Sequence, residues 1–358
     1  MNATRAAVDL DDTDALIAAD HDGLLRAVSM AGAQVRSTAA AVDEGALDDL
    51  RTGDRPRSVI WVSGRGAAES AGAMLSATLS GSAAEPIVTV AEAPPWVGPL
   101  DVLIVAGDDA GDPSLAAATA TGVRRGARVV VAAPFEGPLR DAGAGRVAVL
   151  APRLGVPDEF AFSRYLAAGL ATLHAVDPAI RADLPALADE LDGEALRNSA
   201  AREVFTNAAK ALAQRISSGT VVLAGDSAAT LALARHLSSV LLRVGHRGVA
   251  AVGLSDALVA LHSGAGTGSA LSDVDALFHD EQIDGPLPDR LRVLALTLAA
   301  ERAQLSARVE RFAEVDVVGA EDVPDAATDA VAVGSPEQQL ALLALRIEMA
   351  AVYLRLGE

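Results

Sequence analysis

Residues 58–79 read SVIWVSGRGAAESAGAMLSATL, and this stretch contains the pattern that decides the fold. The continuous apolar run at residues 59–62, which follows Ser58, predicts a strand over residues 58–62 that is buried on both faces. The turn Gly64-Arg65-Gly66 follows it, and residues 67–79 are predicted to form a helix. A strand, a glycine-containing turn and a helix in this order are typical of a parallel sheet covered by helices.

The same strand–turn–helix unit recurs along the chain and opens both halves, at Val59 and at Val221. We therefore predict an α/β fold with two doubly wound modules, each a parallel β-sheet flanked by helices. The further strands are predicted at 86–90, 101–105, 127–132, 147–150, 221–224, 249–252, 275–278 and 316–318. The further helices are predicted at 112–125, 158–176, 200–217, 228–244, 290–305 and 336–354.

The predicted domains follow from this pattern. Residues 1–54 form an N-terminal helical arm, residues 55–180 the first module and residues 195–358 the second module. Two prolines and several acidic residues between 177 and 194 indicate a connector.

The composition excludes several classes of function. The 358-residue chain has 29 basic and 48 acidic residues and a net charge of −19, which disfavours binding to nucleic acid or to an anionic membrane surface. It contains no cysteine, so disulfides, thiol catalysis and zinc–thiolate sites are excluded. We find no signal-peptide pattern and no apolar run of about 18 residues, so a soluble cytoplasmic protein is expected.

The turn Gly64-Arg65-Gly66 has two interpretations. Backbone N–H groups between a strand and a helix bind small anions such as phosphate, but a tight turn without a ligand has the same sequence. The dinucleotide fingerprint is broken, because Glu69 stands where its third glycine is required. A nucleotide-dependent dehydrogenase would rest on Gly64 and Gly66 alone and is disfavoured.

Two further loops end predicted strands. Asp108, Asp109 and Asp112 follow the third strand, where carboxylates bind a cation or accept hydrogen bonds from sugar hydroxyls. Asp112 precedes Pro113, which favours a helix-capping role for this aspartate. Ser227 in the second module either contacts a ligand or caps the following helix.

Several short segments, taken in order, resemble the sugar-isomerase (SIS) family, and in particular the two-module bifunctional phosphoglucose/phosphomannose isomerases. The resemblance covers residues 20–355. Its segments are Gly64-Arg65-Gly66-Ala67-Ala68, Leu103 to Leu115, Val156-Pro157-Asp158, Asn207-Ala208-Ala209-Lys210-Ala211-Leu212-Ala213 and Ala351-Val352-Tyr353-Leu354. The resemblance implies a dimer that binds a sugar phosphate through loop hydroxyls and transfers a proton between C1 and C2.

This chain departs from that family at the positions that carry its chemistry. The loop hydroxyl positions hold Ala68, Ala106, Asp108 and Gly111, and the family's arginine before the closing helix is Asp158. The catalytic glutamate position corresponds approximately to Leu242. Asp256 and His262 are the remaining catalytic candidates. The ligand-binding candidates are Gly64, Arg65, Gly66, Ser70, Asp108, Asp109, Ser114 and Ser227.

The expected function is binding of a sugar derivative, such as a sugar phosphate, on a SIS fold related to glucose-6-phosphate/mannose-6-phosphate isomerases, with aldose–ketose isomerisation weakened or lost. The alternative is a non-catalytic sensor or a partner subunit in carbohydrate metabolism. We expect no cofactor. The six histidines show no metal-ligand spacing, so no metal is expected. A homodimer with a small-molecule sugar derivative as its ligand is expected.

Overall fold

The computed structural model describes residues 8–264, 291–324 and 334–357. By their internal contacts the residues divide into two compact units. The first unit comprises Asp22–Leu196, and the second joins the described residues up to His21 to those from Arg197 onward. None of the helices within the described ranges is long and apolar enough to cross a membrane.

Three helices come first among the described residues: α1 (Thr13–Ala19), α2 (Leu24–Val28) and α3 (Ala31–Asp43). All three lie within the predicted arm. By contacts α1 groups with the second unit, whereas α2 and α3 group with the first.

The first unit contains a five-stranded parallel sheet in the order β2-β1-β3-β4-β5. Its two central strands, β1 and β3, are almost completely buried, because helices cover both faces. The elements are β1 (Ser58–Ser63), α4 (Ala67–Leu79), β2 (Ile87–Val90), β3 (Asp101–Ala106), α5 (Pro113–Arg125), β4 (Arg128–Ala132), α6 (Gly137–Gly143), β5 (Ala148–Val149), α7 (Phe162–Val176) and α8 (Leu184–Arg197).

Helices α4 and α7 pack against the side chain of Trp61 on β1. The indole is buried and donates a hydrogen bond from Nε1 to the carbonyl of Ala68 at 3.0 Å. A Cβ atom added to Gly72 would lie 2.4 Å from the indole, and one added to Gly169 would lie 3.0 Å from it. Glycine at these two positions therefore lets both helices approach a large side chain closely.

The described part of the second unit contains four parallel strands in the order β7-β6-β8-β9. The last helix is buried along nearly its whole length and is therefore the central core element of this unit. The elements are α9 (Ala208–Ser217), β6 (Val221–Gly225), α10 (Ala228–Arg243), β7 (Ala250–Gly253), α11 (Leu254–His262), β8 (Arg292–Leu296), α12 (Ala299–Val309), β9 (Val315–Val318) and α13 (Pro336–Leu356).

The structure confirms the predicted fold class of two parallel sheets flanked by helices. Two predicted helices are wrong: the helix at 290–305 is β8 followed by α12, and the helix at 200–217 begins only at Ala208. The predicted connector at 177–194 contains most of α8. The strand predicted at 275–278 lies outside the described residues.

Candidate functional site

The carboxyl ends of β1 and β3 lie side by side at one edge of the first sheet. Ser63 pairs with Ala106 in the strand register, and the Gly64 N–H donates to the Ala106 carbonyl at 3.0 Å. The loops after these strands, residues 64–66 and 107–112, are therefore neighbours. This edge is where ligands bind in open parallel sheets.

The first loop is shaped by its glycine and by contacts within the chain. Gly66 has φ 93°, a backbone conformation that favours glycine. The Ser70 hydroxyl donates to the Gly66 carbonyl at 3.1 Å, one helical turn back. Arg65 is exposed between the two glycines. The predicted ligand-binding residues of this loop thus lie together. The Ser70 hydroxyl proton is already donated to a backbone carbonyl at the start of α4.

The second loop carries a cluster that joins it to the start of α7. The Arg164 Nη2 group donates to Asp108 Oδ1 at 2.8 Å and to the Tyr165 hydroxyl at 2.7 Å. The Tyr165 hydroxyl donates to the same Asp108 oxygen. The Arg164 guanidinium carbon lies 4.2 Å from the centre of the Tyr165 ring. Asp108, Arg164 and Tyr165 form what we call the Asp108 cluster.

The electrostatics of this cluster follow from its burial. Burial raises the pKa of the Tyr165 hydroxyl, and the charge of Asp108 raises it further, whereas Arg164 opposes the shift. Tyr165 is therefore a neutral hydrogen-bond donor. The Arg164 side chain is 11% exposed, and its Nη1 atom is buried without a hydrogen-bond partner in the part of the chain that the structure describes. Such buried unsatisfied donors are rare.

The remaining candidates of the second loop have local partners. Asp109 accepts from the Gly111 N–H at 2.7 Å. Asp112 accepts from the Ser114 N–H at 2.8 Å, which confirms its predicted role as the cap of α5. Ser114 is exposed, and with Glu92 it lines a groove of about 330 Å³.

The second unit places its candidates differently. Ser227 forms a reciprocal capping box with Thr230, so its hydroxyl is used to start α10. Asp256 lies in the first turn of α11 and His262 is its last residue. Six residues of helix separate them by about 9 Å along the axis. The structure does not bring these two side chains together.

A further group in this unit was not predicted as a contact network. Lys210, the single lysine, is buried in α9, and its Nζ donates to the carbonyls of Ala200 at 2.9 Å and Arg202 at 2.6 Å. The ammonium lies 5.5 Å from the centre of the Tyr353 ring. Burial lowers the pKa of Lys210, and Asp11 and Asp9 partly oppose the shift. Lys210 therefore fixes the segment that precedes α9.

The second unit contains a cavity and a buried arginine, Arg346. No group of three potential metal ligands lies together within residues 8–264, 291–324 and 334–357. A cavity of about 540 Å³ lies against β9 in the second unit, with Arg215 and Arg346 in its lining. Arg346 is buried there, and its guanidinium donates to the carbonyls of Gly319, Ala320 and Asp322. Those bonds give Arg346 a structural role.

Comparison with known proteins reveals the fold. No protein-family profile matches the sequence, and no curated protein matches it. The C-terminal domain of glucosamine-fructose-6-phosphate aminotransferase from Francisella tularensis is 9% identical, with a TM-score of 0.60, and the match covers 94% of this chain and 98% of that domain.

Tagatose-6-phosphate ketose/aldose isomerase from Escherichia coli is 14% identical with a TM-score of 0.57, and the match covers 94% of this chain and 92% of that one. A protein from Silicibacter pomeroyi, assigned provisionally as a phosphosugar isomerase, is 15% identical with a TM-score of 0.60, covering 92% and 96%. These matches run along almost the whole of each chain. The fold is therefore of the SIS type, with two doubly wound modules.

Proposed function

We propose that this chain binds a sugar derivative at the carboxyl ends of β1 and β3 and has little or no aldose–ketose isomerase activity. The observation that carries the proposal is the Asp108 cluster at the edge of the first sheet. There a carboxylate is held by two donors, in a loop that lies next to the glycine turn. Carboxylates that are fixed in this way accept hydrogen bonds from hydroxyl groups.

Loss of isomerisation is supported by the positions of the candidate bases within residues 8–264, 291–324 and 334–357. Aldose–ketose isomerisation needs a carboxylate or histidine within hydrogen-bond reach of the proton on carbon. Leu242, at the approximate glutamate position, is an apolar side chain that is 60% exposed. Asp256 and His262 stand at opposite ends of α11.

Weak binding of sugar phosphates is supported by the loops themselves. Ala68, Ala106 and Gly111 offer no side-chain donors, and Asp108 adds negative charge. Each lost hydrogen bond to a charged group costs about 1.5–3 kcal/mol. Two such losses weaken binding by about a hundredfold or more. Arg65, which is exposed in the first loop, is the group that opposes this conclusion.

The proposal also covers the family relation of this chain and its oligomeric state. The order of the short segments supports a relation to the phosphoglucose/phosphomannose isomerases, and a cytoplasmic homodimer follows from that relation. A sensor or a partner subunit in carbohydrate metabolism is the non-catalytic form of the same proposal. Light scattering of the purified chain measures the dimer directly.

Two measurements test the function. A thermal-shift screen against free sugars, sugar phosphates and nucleotide sugars is expected to identify a ligand, because a ligand that binds only the folded state raises the melting temperature. A coupled assay for fructose 6-phosphate is expected to show no turnover above background. Turnover of about 10 per second in the wild type that is lost in Asp256→Asn would overturn the non-catalytic assignment, and Arg65→Ala measures what the charge in the first loop contributes.

A further inference from the structure

Arg164 is a nearly buried cation at the edge of the first sheet, and its guanidinium is paired with a carboxylate of the same chain, that of Asp108. Its Nη2 group contacts Asp108 and Tyr165, and its Nη1 group is buried without a partner in the described ranges. The Asp108 side chain is 31% exposed and the Arg164 side chain 11%, so the carboxylate is the more accessible of the two charged groups. A ligand at this edge therefore reaches Asp108 more readily than Arg164.

We infer that Asp108 determines which class of ligand this edge accepts. Its carboxylate already supplies the negative charge that Arg164 and Tyr165 bind, so the cluster takes an uncharged hydroxyl group and rejects an anionic one. This inference rests on the proposed function, because it names the chemistry of the same site.

The charge balance of the cluster gives the physical reason. Asp108 carries a negative charge, Arg164 a positive charge and Tyr165 none, so the cluster is neutral as it stands. A phosphate that approaches Arg164 meets the repulsion of Asp108 and competes with it for the same donors. Removal of the Asp108 charge leaves a fixed guanidinium and a fixed phenol hydroxyl, which together provide charge-assisted donors for an anion.

The test replaces Asp108 in the full-length chain and uses inorganic phosphate as the probe. Asp108→Ser is the main variant, and Asp108→Asn removes the charge while keeping an acceptor for Arg164 and Tyr165. Asp141→Ser is the matched control, because it removes the same charge from an exposed position of α6 in the same unit, outside both loops. Calorimetric titration measures phosphate binding, and circular dichroism verifies that each variant is folded.

Wild type and Asp141→Ser are expected to bind phosphate weakly and equally. At least one folded Asp108 variant is expected to bind phosphate about tenfold to a hundredfold more tightly, the gain from one or two charge-assisted bonds. Adding Arg164→Met to that variant is expected to abolish the gain. An equal gain in Asp141→Ser, or no gain in either folded Asp108 variant, would overturn the inference.

The phosphate titration and the sugar screen fail independently. A gain of phosphate binding in the Asp108 variants without any sugar ligand for the wild type would support the role of Asp108 and contradict the proposed function. A sugar ligand for the wild type without a gain of phosphate binding would support the proposed function and contradict the role of Asp108.

Discussion

Replacement of Lys210 by methionine tests the contact network that precedes α9. The Lys210 ammonium donates to the carbonyls of Ala200 and Arg202, and the neighbouring Asn207 side chain caps α9 by accepting from the Lys210 N–H at 2.9 Å. Methionine keeps most of the apolar stem and removes both donors. The variant therefore isolates the ammonium from the packing around it.

The expected loss is about 3 kcal/mol. Two hydrogen bonds from a charged group contribute about 1.5–3 kcal/mol each. The desolvation that lowers the pKa of Lys210 offsets part of this gain, because methionine does not pay for burying a charge. A loss of about 3 kcal/mol corresponds to about a hundredfold change in the local opening equilibrium.

Hydrogen exchange with segment resolution is the suitable assay, because a two-unit chain need not unfold in one transition. Amides of residues 198–217 are expected to exchange about a hundredfold faster in Lys210→Met. Gln214→Met, on the exposed face of the same helix, is the control and is expected to change stability by less than about 0.5 kcal/mol. Equal exchange rates of these amides in Lys210→Met and wild type would contradict the stabilising role of the Lys210 hydrogen bonds.

Two substitutions in the first unit give further predictions. Burial and the charge of Asp177 raise the pKa of Glu85 above its usual 4.5, so wild-type stability falls as pH rises through this range. The melting temperature of Glu85→Gln is expected to be higher than that of wild type at neutral pH and equal to it at acidic pH. A lower melting temperature of Glu85→Gln at neutral pH would contradict this prediction. In Gly72→Ala the new Cβ would lie 2.4 Å from Trp61, and this overpacking is expected to lower the free energy of unfolding by about 1–3 kcal/mol. The higher helix propensity of alanine offsets about 1 kcal/mol of this loss. Gly81→Ala, with open space around it, is the control in the same thermal melts, and equal melting temperatures would contradict the prediction.

The sequence predicts the first sheet well because its strands are strongly apolar and its turns are distinct. The β1 run and the α4 helix have almost the predicted bounds, and Asp112 with Pro113 begins α5 as expected. The error at β8 has a physical reason. Residues 293–300 are apolar except for Thr297, and such a stretch has no periodicity that separates a strand from a helix.

The helix within the predicted connector was missed for a different reason. Pro185 and the neighbouring acids indicate a connector, but they do not exclude a helix, because proline is tolerated in the first turn of a helix. Asp183 accepts a hydrogen bond from the Ala186 N–H at 2.9 Å and so begins α8. The capping signal was therefore present in the sequence and was outweighed by the prolines.

The candidate site is only partly predictable. The two loops follow from strand order, since parallel strands end at the same edge. Arg164 and Tyr165 lie more than 50 residues beyond Asp108, and nothing local in the sequence joins them to it. Their contact depends on how α7 packs against α4 near the sheet, which a single sequence does not specify.

A crystal structure with the ligand found by thermal shift tests the central claim most directly. The account predicts ligand density at the carboxyl ends of β1 and β3, between residues 64–70 and 108–114, with an uncharged hydroxyl group at Asp108. Density for the same ligand only elsewhere, for instance at residues 256–262 or in the cavity against β9, would contradict it.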